Sequence, residues 1–401
     1  MVAYTMLISI KLILFSLGVY ISTYIIYNII LLISNFILKD KENDSSVVKN
    51  RFVIIIPAHN EELFIGRILN SLKEQSYPQE SFRIIVVADN CSDKTAAIAS
   101  INNADVLERK SSKYKGKGYA IKYAIDNALD DNYDALFIID ADSILQTDGL
   151  INLNKHILKN DKIIQCNNAV ANPADSWFSQ LMDVSRTISN EILEPAKEKL
   201  GLSSHLMGNG MCFHRKIIDK YGWDAFTVGE DWEYYAKIIN EGKRIAFAQH
   251  VRVYHQESTS LKQATPQRMR WSSGRFAILW QYGLGLFSRG LLEKNLLKFD
   301  ASLPLILPNP SLAMNLTVLG FFSSLFFSLL HKNNTLIFWY SSLMLFHFII
   351  FVTGVFYTRN KLRSFLSIFI APLFLAWKMV IDILSLVGIG RKKWVRTNRH
   401  L

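Results

Sequence analysis

Two aspartates separated by one residue follow a short apolar run in the middle of the chain. Residues 135–139 are rich in β-branched and aromatic side chains, which is typical of a buried strand, and Asp140 and Asp142 come directly after them. Ligands of open α/β sheets bind at the carboxyl ends of the strands, so both carboxylates are expected at a binding edge. Mg²⁺ and Mn²⁺ are held by one or two carboxylates together with substrate phosphates. The pair therefore indicates a metal site, although a turn or a helix cap explains it equally well when taken alone.

The elements that must position this pair alternate between apolar runs and helical periodicities. Strands are predicted at 52–56, 83–88, 105–107 and 135–139, and helices at 61–75, 92–100 and 119–129. This rhythm predicts a parallel, doubly wound α/β sheet with helices on both faces. A dinucleotide-binding dehydrogenase is excluded, because Gly-x-Gly-x-x-Gly would have to follow the first strand, where the chain has Pro57-Ala58-His59-Asn60-Glu61-Glu62.

Apolar residues, which make up 50% of the 401-residue chain, are concentrated towards both ends. Residues 7–38 contain one charge, Lys11, and residues 301–330 and 335–357 contain none. About 20 apolar residues cross a bilayer core, so each segment is predicted to span a membrane. The first is predicted to be a retained anchor and not a secretory signal, because its apolar run is too long and no small-residue cleavage site follows it.

Positive charge is concentrated beside these apolar segments, and the net charge is +11. The basic clusters are Lys39, Lys41, Lys49 and Arg51; Arg359, Lys361 and Arg363; and Arg391, Lys392, Lys393, Arg396 and Arg399. By the positive-inside rule, they predict an integral protein of the cytoplasmic membrane whose soluble region and carboxyl terminus face the cytoplasm. The basic residues are thus expected to adjoin membrane lipids, and no nucleic-acid binding is expected. Cys91, Cys166 and Cys212 lack metal-ligand spacing and are predicted to be buried thiols.

Two late segments have more than one interpretation. Residues 271–300 combine aromatic and basic residues in a way that favours helices lying in the membrane interface, although helices packed on the soluble domain would have the same pattern. Residues 364–390 are apolar but contain Pro372, Lys378 and Asp382. Three interpretations of this segment are open: a third late span, a re-entrant element and an interfacial helix. A cytoplasmic carboxyl terminus favours the last two.

Four further polar motifs follow one another along the chain. They are Asp89-Asn90-Cys91-Ser92-Asp93, Lys115-Gly116-Lys117-Gly118, Gly229-Glu230-Asp231 and Gln267-Arg268-Met269-Arg270-Trp271. Together with the aspartate pair, this order resembles the membrane-embedded family 2 glycosyltransferases, the group of the cellulose, hyaluronan and poly-N-acetylglucosamine synthases. The resemblance extends over about residues 49–290, and the flanking apolar segments agree with it.

The resemblance implies an α/β, GT-A-like doubly wound nucleotide-sugar-binding domain inserted between membrane helices. Its parts are an amino-terminal transmembrane anchor (1–39), a linker (40–50), a cytoplasmic GT-A domain (51–270), interfacial amphipathic helices (271–300), a carboxyl-terminal transmembrane region (301–390) and a basic cytoplasmic tail (391–401).

The resemblance further implies a nucleotide-sugar donor, expected to be UDP-linked. Asp89 is expected to accept hydrogen bonds from the uracil or the ribose. The turn that contains Ala58, His59 and Glu61 is expected to line the same pocket.

The donor phosphates and the metal are assigned in the same way. Asp142 is expected to hold Mg²⁺ or Mn²⁺ at the diphosphate, and Asp140 to orient the donor and share the metal. Gln267 and Arg270 are expected to bind the donor, Arg270 through the paired geometry of its guanidinium. Lys117 is expected to meet a donor phosphate, and a solvated loop lysine is the alternative interpretation.

Asp231 is implied to be the general base that takes the proton of the attacking hydroxyl, so an α-linked donor would give a β-linkage. Trp271, Gly208, Gly210 and Glu230 are implied to contact the acceptor, with Trp271 stacking on its terminal sugar. The alternative for the acidic pair is two helix N-terminal residues stabilised by the helix dipole.

The resemblance favours an inverting, processive enzyme that extends a β-linked polysaccharide and passes it through the membrane. A single-addition transferase that glycosylates a membrane lipid is the first alternative, and a non-catalytic translocation subunit is the second. Because so few late spans would form only a narrow pore, polymer passage is expected to need a homo-oligomer or a partner export protein. Many members of the group carry threonine where this chain has Gly229, which leaves the acceptor contacts open.

Overall fold

The computed structural model describes residues 2–39, 49–331 and 334–389. Its soluble part is built on one eight-stranded sheet with the order β3-β2-β1-β4-β7-β6-β8-β5. The strands are β1 (Phe52–Ala58), β2 (Phe82–Asp89), β3 (Asp105–Arg109), β4 (Ala135–Ile138), β5 (Ser143–Leu145), β6 (Ile163–Val170), β7 (Met211–His214) and β8 (Ala246–His255). The predicted tail at 391–401 and most of the predicted linker at 40–50 lie outside the described residues.

The first half of the sheet follows the sequence prediction, and the second half departs from it. β3, β2, β1 and β4 are parallel neighbours, which confirms the predicted α/β rhythm. β7 runs antiparallel to β4 and β6, and β5 runs antiparallel to β8, so the sheet is mixed and not wholly parallel. β5 and β7 have three and four residues, which is too short to leave a clear periodicity in the sequence.

The helices lie on both sides of the sheet and at both ends of the chain. They are α1 (Val2–Ile37), α2 (Ile65–Lys73), α3 (Thr95–Ile101), α4 (Lys117–Ala128), α5 (Gly149–Leu158), α6 (Trp177–Thr187), α7 (Glu194–Lys199), α8 (Arg215–Tyr221), α9 (Glu230–Asn240), α10 (Leu261–Ile278), α11 (Leu284–Leu292), α12 (Leu296–Ile306), α13 (Pro310–His331), α14 (Thr335–Tyr357), α15 (Lys361–Leu366) and α16 (Ala371–Leu386). The π-helical segments Ile188–Leu193 and Leu279–Gly283 join α6 to α7 and α10 to α11.

The core lies on both faces of the sheet because alternate residues of a strand point to opposite sides. Val53 and Ile55 of β1 pack with α4 and α9 on one face. Ile54 and Ile56 pack with α2 and α5 on the other face. A strand buried on both faces needs an apolar residue at every position, which is why β1 reads as a continuous apolar run.

Among the described residues, four helical segments are long and apolar enough to cross a membrane. They are Ile8–Ile37, Pro310–Leu329, Thr335–Tyr357 and Lys361–Leu386. The segments within α1, α13 and α14 contact one another. Their shared apolar cluster contains Ile21, Ile25, Tyr340 and Leu343.

The apolar run at 301–330, predicted to be one span, is divided into two helices. α12 ends and α13 begins around Pro308 and Pro310, because proline removes a backbone donor and disfavours helix in the residue before it. Ala301 and Leu305 of α12 are buried in the core of the soluble domain. Only the second helix is therefore a candidate span.

The last apolar segment touches the soluble domain at both of its ends. At the start of α15, Gln180 Nε2 of α6 donates to Ser364 Oγ at 2.8 Å. Just after α16, the carbonyl oxygen of Ile389 accepts a hydrogen bond from Ser273 Oγ of α10 at 2.6 Å. Between these points α16 packs along α10. This course fits the predicted interfacial or re-entrant element, which stays a prediction.

The two charges within this segment pair with each other. Lys378 and Asp382 form a buried ion pair, and Ser272 Oγ of α10 donates to Asp382 Oδ1 at 2.9 Å. The other side of α16 is apolar and exposed, and so is one side of α11. We call these residues the apolar belt: Leu284 and Leu292 of α11, and Leu373, Val380 and Ile383 of α16.

Candidate active site

Two left-handed turns follow β1 and β2. Asn60 (φ 57°) and Asn90 (φ 53°) adopt a conformation that asparagine tolerates better than most residues. Asn60 Oδ1 accepts a hydrogen bond from the backbone N–H of Ser92 at 2.8 Å, and Asn90 Oδ1 accepts one from that of Ser111 at 2.8 Å. Side chains therefore tie the two strand ends to neighbouring loops and fix the edge of the sheet.

The residues predicted to line the nucleoside pocket lie close together at this edge. His59 Nδ1 is 2.6 Å from the carbonyl oxygen of Asp89, and the N–H of Glu61 donates to Thr95 Oγ1 at 2.8 Å. Ala58 ends β1 in register with the residue before Asp89. The parallel pairing of two strands thus produces the predicted cluster.

Asp89 also forms a buried ion pair that the sequence did not indicate. Arg109 Nη1 lies 2.5 Å from Asp89 Oδ1, and each side chain is only 9% exposed. Burial raises the pKa of Asp89, while the hydrogen bond and the charge of Arg109 oppose this rise. Arg109 ends β3, so its role is visible only once β3 is known to lie beside β2.

Lys117 joins the aspartate pair to the loop that contains Gly208 and Gly210. It begins α4, forms an ion pair with Asp140 and donates to the carbonyl oxygen of Gly208. Burial lowers the pKa of Lys117, but the nearby charges of Asp140, Glu230 and Asp231 outweigh it and raise the pKa overall. This placement fits a residue of the site better than a solvated loop lysine.

Asn209 holds the turn that carries the two aspartates. The backbone N–H of Asp140 donates to Asn209 Oδ1 at 3.0 Å, and Asn209 Nδ2 donates to Ser143 Oγ at 2.9 Å. Both Asn209 and Ser143 are buried. One amide therefore bridges both ends of the turn on which Asp142 sits. The sequence drew attention to this loop for its glycines, and the asparagine between them was missed.

Glycine is required at positions 208 and 210 both by the backbone conformation and by the lack of space for a side chain. Their φ angles are 79° and 66°, in the left-handed region. A Cβ atom on Gly208 would lie 3.1 Å from Asp231 Oδ2, and one on Gly210 would lie 3.0 Å from the Cβ of Cys166. Gly208 thus brings the loop backbone against the Asp231 carboxylate.

A second close approach sets α9 against α10. A Cβ atom on Gly229 would lie 3.2 Å from the Cα of Gly274, and one on Gly274 would lie 3.1 Å from the backbone N and Cα of Gly229. A side chain at Gly229 would therefore push the start of α9, with Asp231, away from the helix that carries Arg270. This contact is a physical reason for glycine at a position where many members of the resembled group carry threonine.

The two acids at the start of α9 have raised pKa values. Burial, followed by the charge of Asp231, raises the pKa of Glu230 to about 7. Burial also raises the pKa of Asp231, although the Trp232 N–H, Lys117 and Arg270 favour its charged form. A helix dipole acting alone would lower both pKa values. The pair is thus more than two surface acids at a helix start.

α10 carries the residues of the Gln-x-x-Arg-Trp motif. Gln267 is buried. Arg270 Nε is buried and has no hydrogen-bond partner among the described residues. The ring centroid of Trp271, predicted to stack on a sugar, lies 4.3 Å from the guanidinium carbon of Arg268 and 5.6 Å from that of Arg186. Two arginine side chains therefore lie beside the indole ring of Trp271.

The chemistry of the aspartate pair suits a hard divalent ion. Among the described residues, no group of three or more His, Cys, Asp or Glu side chains could hold a metal by itself. Asp140 and Asp142 provide oxygen ligands, and phosphate oxygens and water would complete the shell. His255 lies near the aspartate pair because it pairs with Ser143 across β5 and β8. Its buried Nε2 lies 3.8 Å from Glu257 Oε2.

Ten of the fourteen predicted site residues form two adjoining groups. The nucleoside group contains Ala58, His59, Glu61 and Asp89 at the ends of β1 and β2. The transfer group contains Lys117, Asp140, Gly208, Glu230, Asp231 and Arg270, which are linked by direct contacts and by electrostatic interactions. Because β1, β2 and β4 are parallel, these residues meet at one edge of the sheet.

Comparisons with curated proteins find relatives across the soluble domain. A "Probable glycosyltransferase YdaM" of Bacillus subtilis (strain 168) is 25% identical over 253 residues, covering 62% of this chain and 60% of that protein. A "Beta-monoglucosyldiacylglycerol synthase" of Trichormus variabilis is 24% identical over 233 residues, covering 56% of this chain and 48% of that protein. The chain thus matches only about half of the length of these relatives.

A solved structure shows that the fold is shared well beyond the soluble domain. The mannosyltransferase PcManGT from Pyrobaculum calidifontis, in complex with GDP-Man and Mn²⁺, has a TM-score of 0.60 at 16% identity. The alignment covers 93% of this chain and 99% of that one. The predicted GT-A-like α/β fold flanked by apolar helices is therefore confirmed.

The family is shown by a match over residues 50–274 to the model described as "Glycosyltransferase like family 2". The narrower resemblance to the cellulose, hyaluronan and poly-N-acetylglucosamine synthases stays a prediction. Because the match covers more than half of the 401 residues, the chain belongs to the glycosyltransferase family 2-like proteins.

Proposed function

We propose that this protein transfers one sugar from a nucleotide-sugar to a lipid acceptor at the cytoplasmic face of a membrane. The observation that carries the proposal is the meeting of Lys117, Asp140, Asp231 and Arg270 at the carboxyl edge of the sheet, beside apolar helices. Cationic groups for a diphosphate and a partly buried carboxylate for a hydroxyl are the parts that glycosyl transfer needs.

The donor would lie across the two groups of site residues. Asp89 and the turn after β1 face the nucleoside, and the buried Nε of Arg270 offers a donor to the diphosphate. Asp142 and Asp140 would hold Mg²⁺ or Mn²⁺, which when bound offsets charge on the leaving nucleoside diphosphate. Lys117 adds a positive charge on the same side. A UDP-linked donor stays the expectation from the resemblance.

Asp231 is proposed as the general base. A Cβ atom on Gly208 would lie 3.1 Å from Asp231 Oδ2, so the glycine leaves room beside this carboxylate. The base takes the hydroxyl proton of the acceptor while the oxygen attacks the anomeric carbon, which inverts the configuration there. The raised pKa of Asp231 makes the carboxylate a better proton acceptor near neutral pH.

The membrane helices support a lipid acceptor over a growing polymer. A polysaccharide crossing the bilayer needs a polar passage, whereas α1, α13 and α14 meet around Ile21, Ile25, Tyr340 and Leu343. A lipid acceptor needs no passage, because it reaches the site by diffusing within the bilayer. The name of the Trichormus variabilis relative, a lipid glycosyltransferase, points in the same direction.

Processive polysaccharide synthesis is the second candidate function. The Gln-x-x-Arg-Trp motif immediately before the membrane helices favours it. In that case a second copy of the chain or an export protein would have to supply the passage. A purely translocating subunit is disfavoured, because it would have no use for Lys117, Asp140, Asp231 and Arg270 brought together at one edge of the sheet.

Product analysis of the purified full chain in lipid nanodiscs tests the proposal. With labelled nucleotide-sugars and Mg²⁺ or Mn²⁺, the expected product is a lipid that carries one sugar. Asp231→Asn should reduce transfer by about 10²- to 10⁴-fold and leave donor binding nearly unchanged, because the base acts on the acceptor. A long, water-soluble polymer would instead favour the second candidate. Lost donor affinity with a normal turnover rate would show that Asp231 is not the base.

A further inference from the structure

Arg186 lies on α6, beside the indole ring of Trp271. In the described part of the chain it forms no hydrogen bond and no ion pair, and its guanidinium carbon lies 5.6 Å from the ring centroid of Trp271. Its neighbour Arg268, on the same ring, is paired with Glu257 at 2.8 Å. Arg186 is partly exposed, so an anion can reach it, and a guanidinium group binds the oxygens of carboxylate or phosphate in pairs. Among the described residues, Arg186 therefore has no directly bound counter-ion beside Trp271.

The charges around Arg186 show where an anion would sit. Burial and the charge of Arg268 lower the pKa of Arg186, and the charges of Glu257 and Asp231 oppose them. Arg186 is thus close enough to Asp231 for their charges to interact. A ligand held by Arg186 would lie next to the carboxylate proposed to take the hydroxyl proton.

The opposite side of α6 is fixed to a candidate membrane span. A Cβ atom on Gly354 would overlap Ile188 Cγ1, in the π-helical segment that continues α6, and would lie 3.6 Å from Val184 Cγ1 of α6. Gly354 is three residues before the end of α14 at Tyr357. Arg186 lies between these two contacts in sequence and on the other side of the helix. It therefore lies at the level of the end of a span, where lipid phosphates lie in a bilayer.

We propose that Arg186, with Arg268 beside it, binds the phosphate of an anionic glycerophospholipid acceptor whose head group carries a free hydroxyl. The inference rests on the proposed function and names the acceptor class. The phosphate is held at the membrane surface while the hydroxyl reaches Asp231. The hydroxyl oxygen bonds to the anomeric carbon, the bond to the nucleoside diphosphate breaks with its electron pair, and the proton passes to Asp231.

The test compares two acceptors in nanodiscs of phosphatidylcholine, at equal mole fractions. Phosphatidylglycerol has a phosphate and free hydroxyls, and diacylglycerol has a hydroxyl without a phosphate. Wild type is expected to prefer phosphatidylglycerol. Arg186→Gln should raise the apparent KM for it by about 10- to 100-fold, the range expected for a charge-assisted hydrogen bond, with kcat and the donor KM nearly unchanged. Arg186→Lys should keep part of the affinity because it keeps the charge.

Arg67→Gln is the matched control, because Arg67 also lies over an aromatic ring, that of Phe64 at 5.4 Å, on the exposed side of α2. Arg67→Gln should leave the KM for both acceptors unchanged.

The proposal would be overturned if wild type used both lipids equally and Arg186→Gln lost kcat equally with both. Arg186 would then have a structural role at Trp271. If Arg186→Gln unfolds, Arg186→Lys and the salt dependence of the phosphatidylglycerol KM decide the question. Donor turnover without glycosylation of any lipid would instead refute the proposed function itself.

Discussion

The turn between β4 and β5 depends on a residue from a distant loop. Asn209 accepts from the backbone of Asp140 and donates to Ser143, so it fixes the direction in which Asp142 leaves the sheet. Groups that orient a metal ligand typically change metal affinity by 10- to 100-fold when they are removed. The geometry of the aspartate pair thus depends on a residue that is not one of its two carboxylates.

We expect Asn209→Ala to raise the concentration of Mn²⁺ needed for half-maximal activity by about 10- to 100-fold. The maximal rate at saturating Mn²⁺ should fall much less. Activity measured over a Mn²⁺ titration checks this. Asn167→Ala is the control, since that buried asparagine bonds to Glu191 and Gln249 outside the site. An unchanged Mn²⁺ titration would show that the turn holds without the amide.

Glu230 should make the stability of the ligand-free protein depend on pH. In the unfolded chain its carboxyl ionises near 4.5, whereas burial and the charge of Asp231 raise the folded pKa to about 7. Between these values the folded state retains a proton that the unfolded state has lost, so the free energy of unfolding falls as the pH rises from about 4.5 to 7.

Glu230→Gln should therefore make the melting temperature less dependent on pH in that window. A residual slope is expected because the pKa of Asp231 is raised as well. Thermal unfolding of both proteins in detergent, at half-unit steps of pH, is the measurement. Parallel curves for the two proteins would mean that Glu230 is ionised in the folded state at neutral pH.

At the scale of elements, the contact between Gly229 and Gly274 sets the distance from α9 to α10. Gly274→Val should push the two helices apart and reduce kcat, because Asp231 and Arg270 would no longer face the same reacting atoms. Donor affinity should suffer less, since the nucleoside group lies on other elements. Steady-state kinetics with each substrate varied will separate the two effects.

Gly285→Ala provides the control for this substitution. Gly285 lies on α11, and a Cβ atom there meets nothing within 4 Å. The variant should keep full activity and be slightly more stable, since alanine favours a helix over glycine by about 0.8–1.0 kcal/mol. Normal kinetics in Gly274→Val would show that the two helices tolerate separation.

The sequence predicts elements well where one element has its own periodicity. The continuous apolar runs of β1, β2 and β4 and the spacing of α2 made their positions readable. β5 and β7 are too short for this, and their antiparallel pairing depends on residues far apart in the chain. The division of the run at 301–330 was readable in principle from Pro308 and Pro310, since proline ends helices.

The residues of the candidate site are likewise of two kinds: those that could be predicted from the sequence and those that could not. Motif residues such as Asp140, Asp142 and Asp231 could be chosen from the sequence because their types and order are distinctive. Arg109, Asn209 and Arg186 could not, because what matters in each case is which other residue lies across a strand pair or a helix contact. Residues of this kind become visible only in three dimensions.

At the scale of the whole molecule, the course of the last segment decides the topology. Hydrogen bonds to Ser364 and Ile389 hold both of its ends against the soluble domain. If α13 and α14 span the membrane and this segment does not, the carboxyl terminus returns to the side of the active site. The basic cluster that ends the chain then lies in the cytoplasm, as the positive-inside rule requires.

Cysteine accessibility in intact cells tests this arrangement after Cys91, Cys166 and Cys212 are replaced by serine. A membrane-impermeant maleimide should label Asn334→Cys, between α13 and α14, from outside. It should not label Asn360→Cys, at the start of α15, or Asn398→Cys, near the end of the chain. Labelling of Asn398→Cys from outside would show that the last segment is a full span.

The apolar belt has a kinetic consequence. If the acceptor is a lipid, as proposed, and the exposed apolar side chains of α11 and α16 lie among lipid tails, the protein encounters its acceptor by diffusion within the plane of the bilayer and its donor by diffusion in solution. The acceptor concentration that matters is then a mole fraction within the bilayer and not a molarity. Adding inert phospholipid at a constant amount of acceptor dilutes the substrate without changing the volume of the sample. Below saturation, the rate of sugar transfer therefore follows the lateral composition of the membrane, and a cell can regulate it by making or consuming neighbouring lipids.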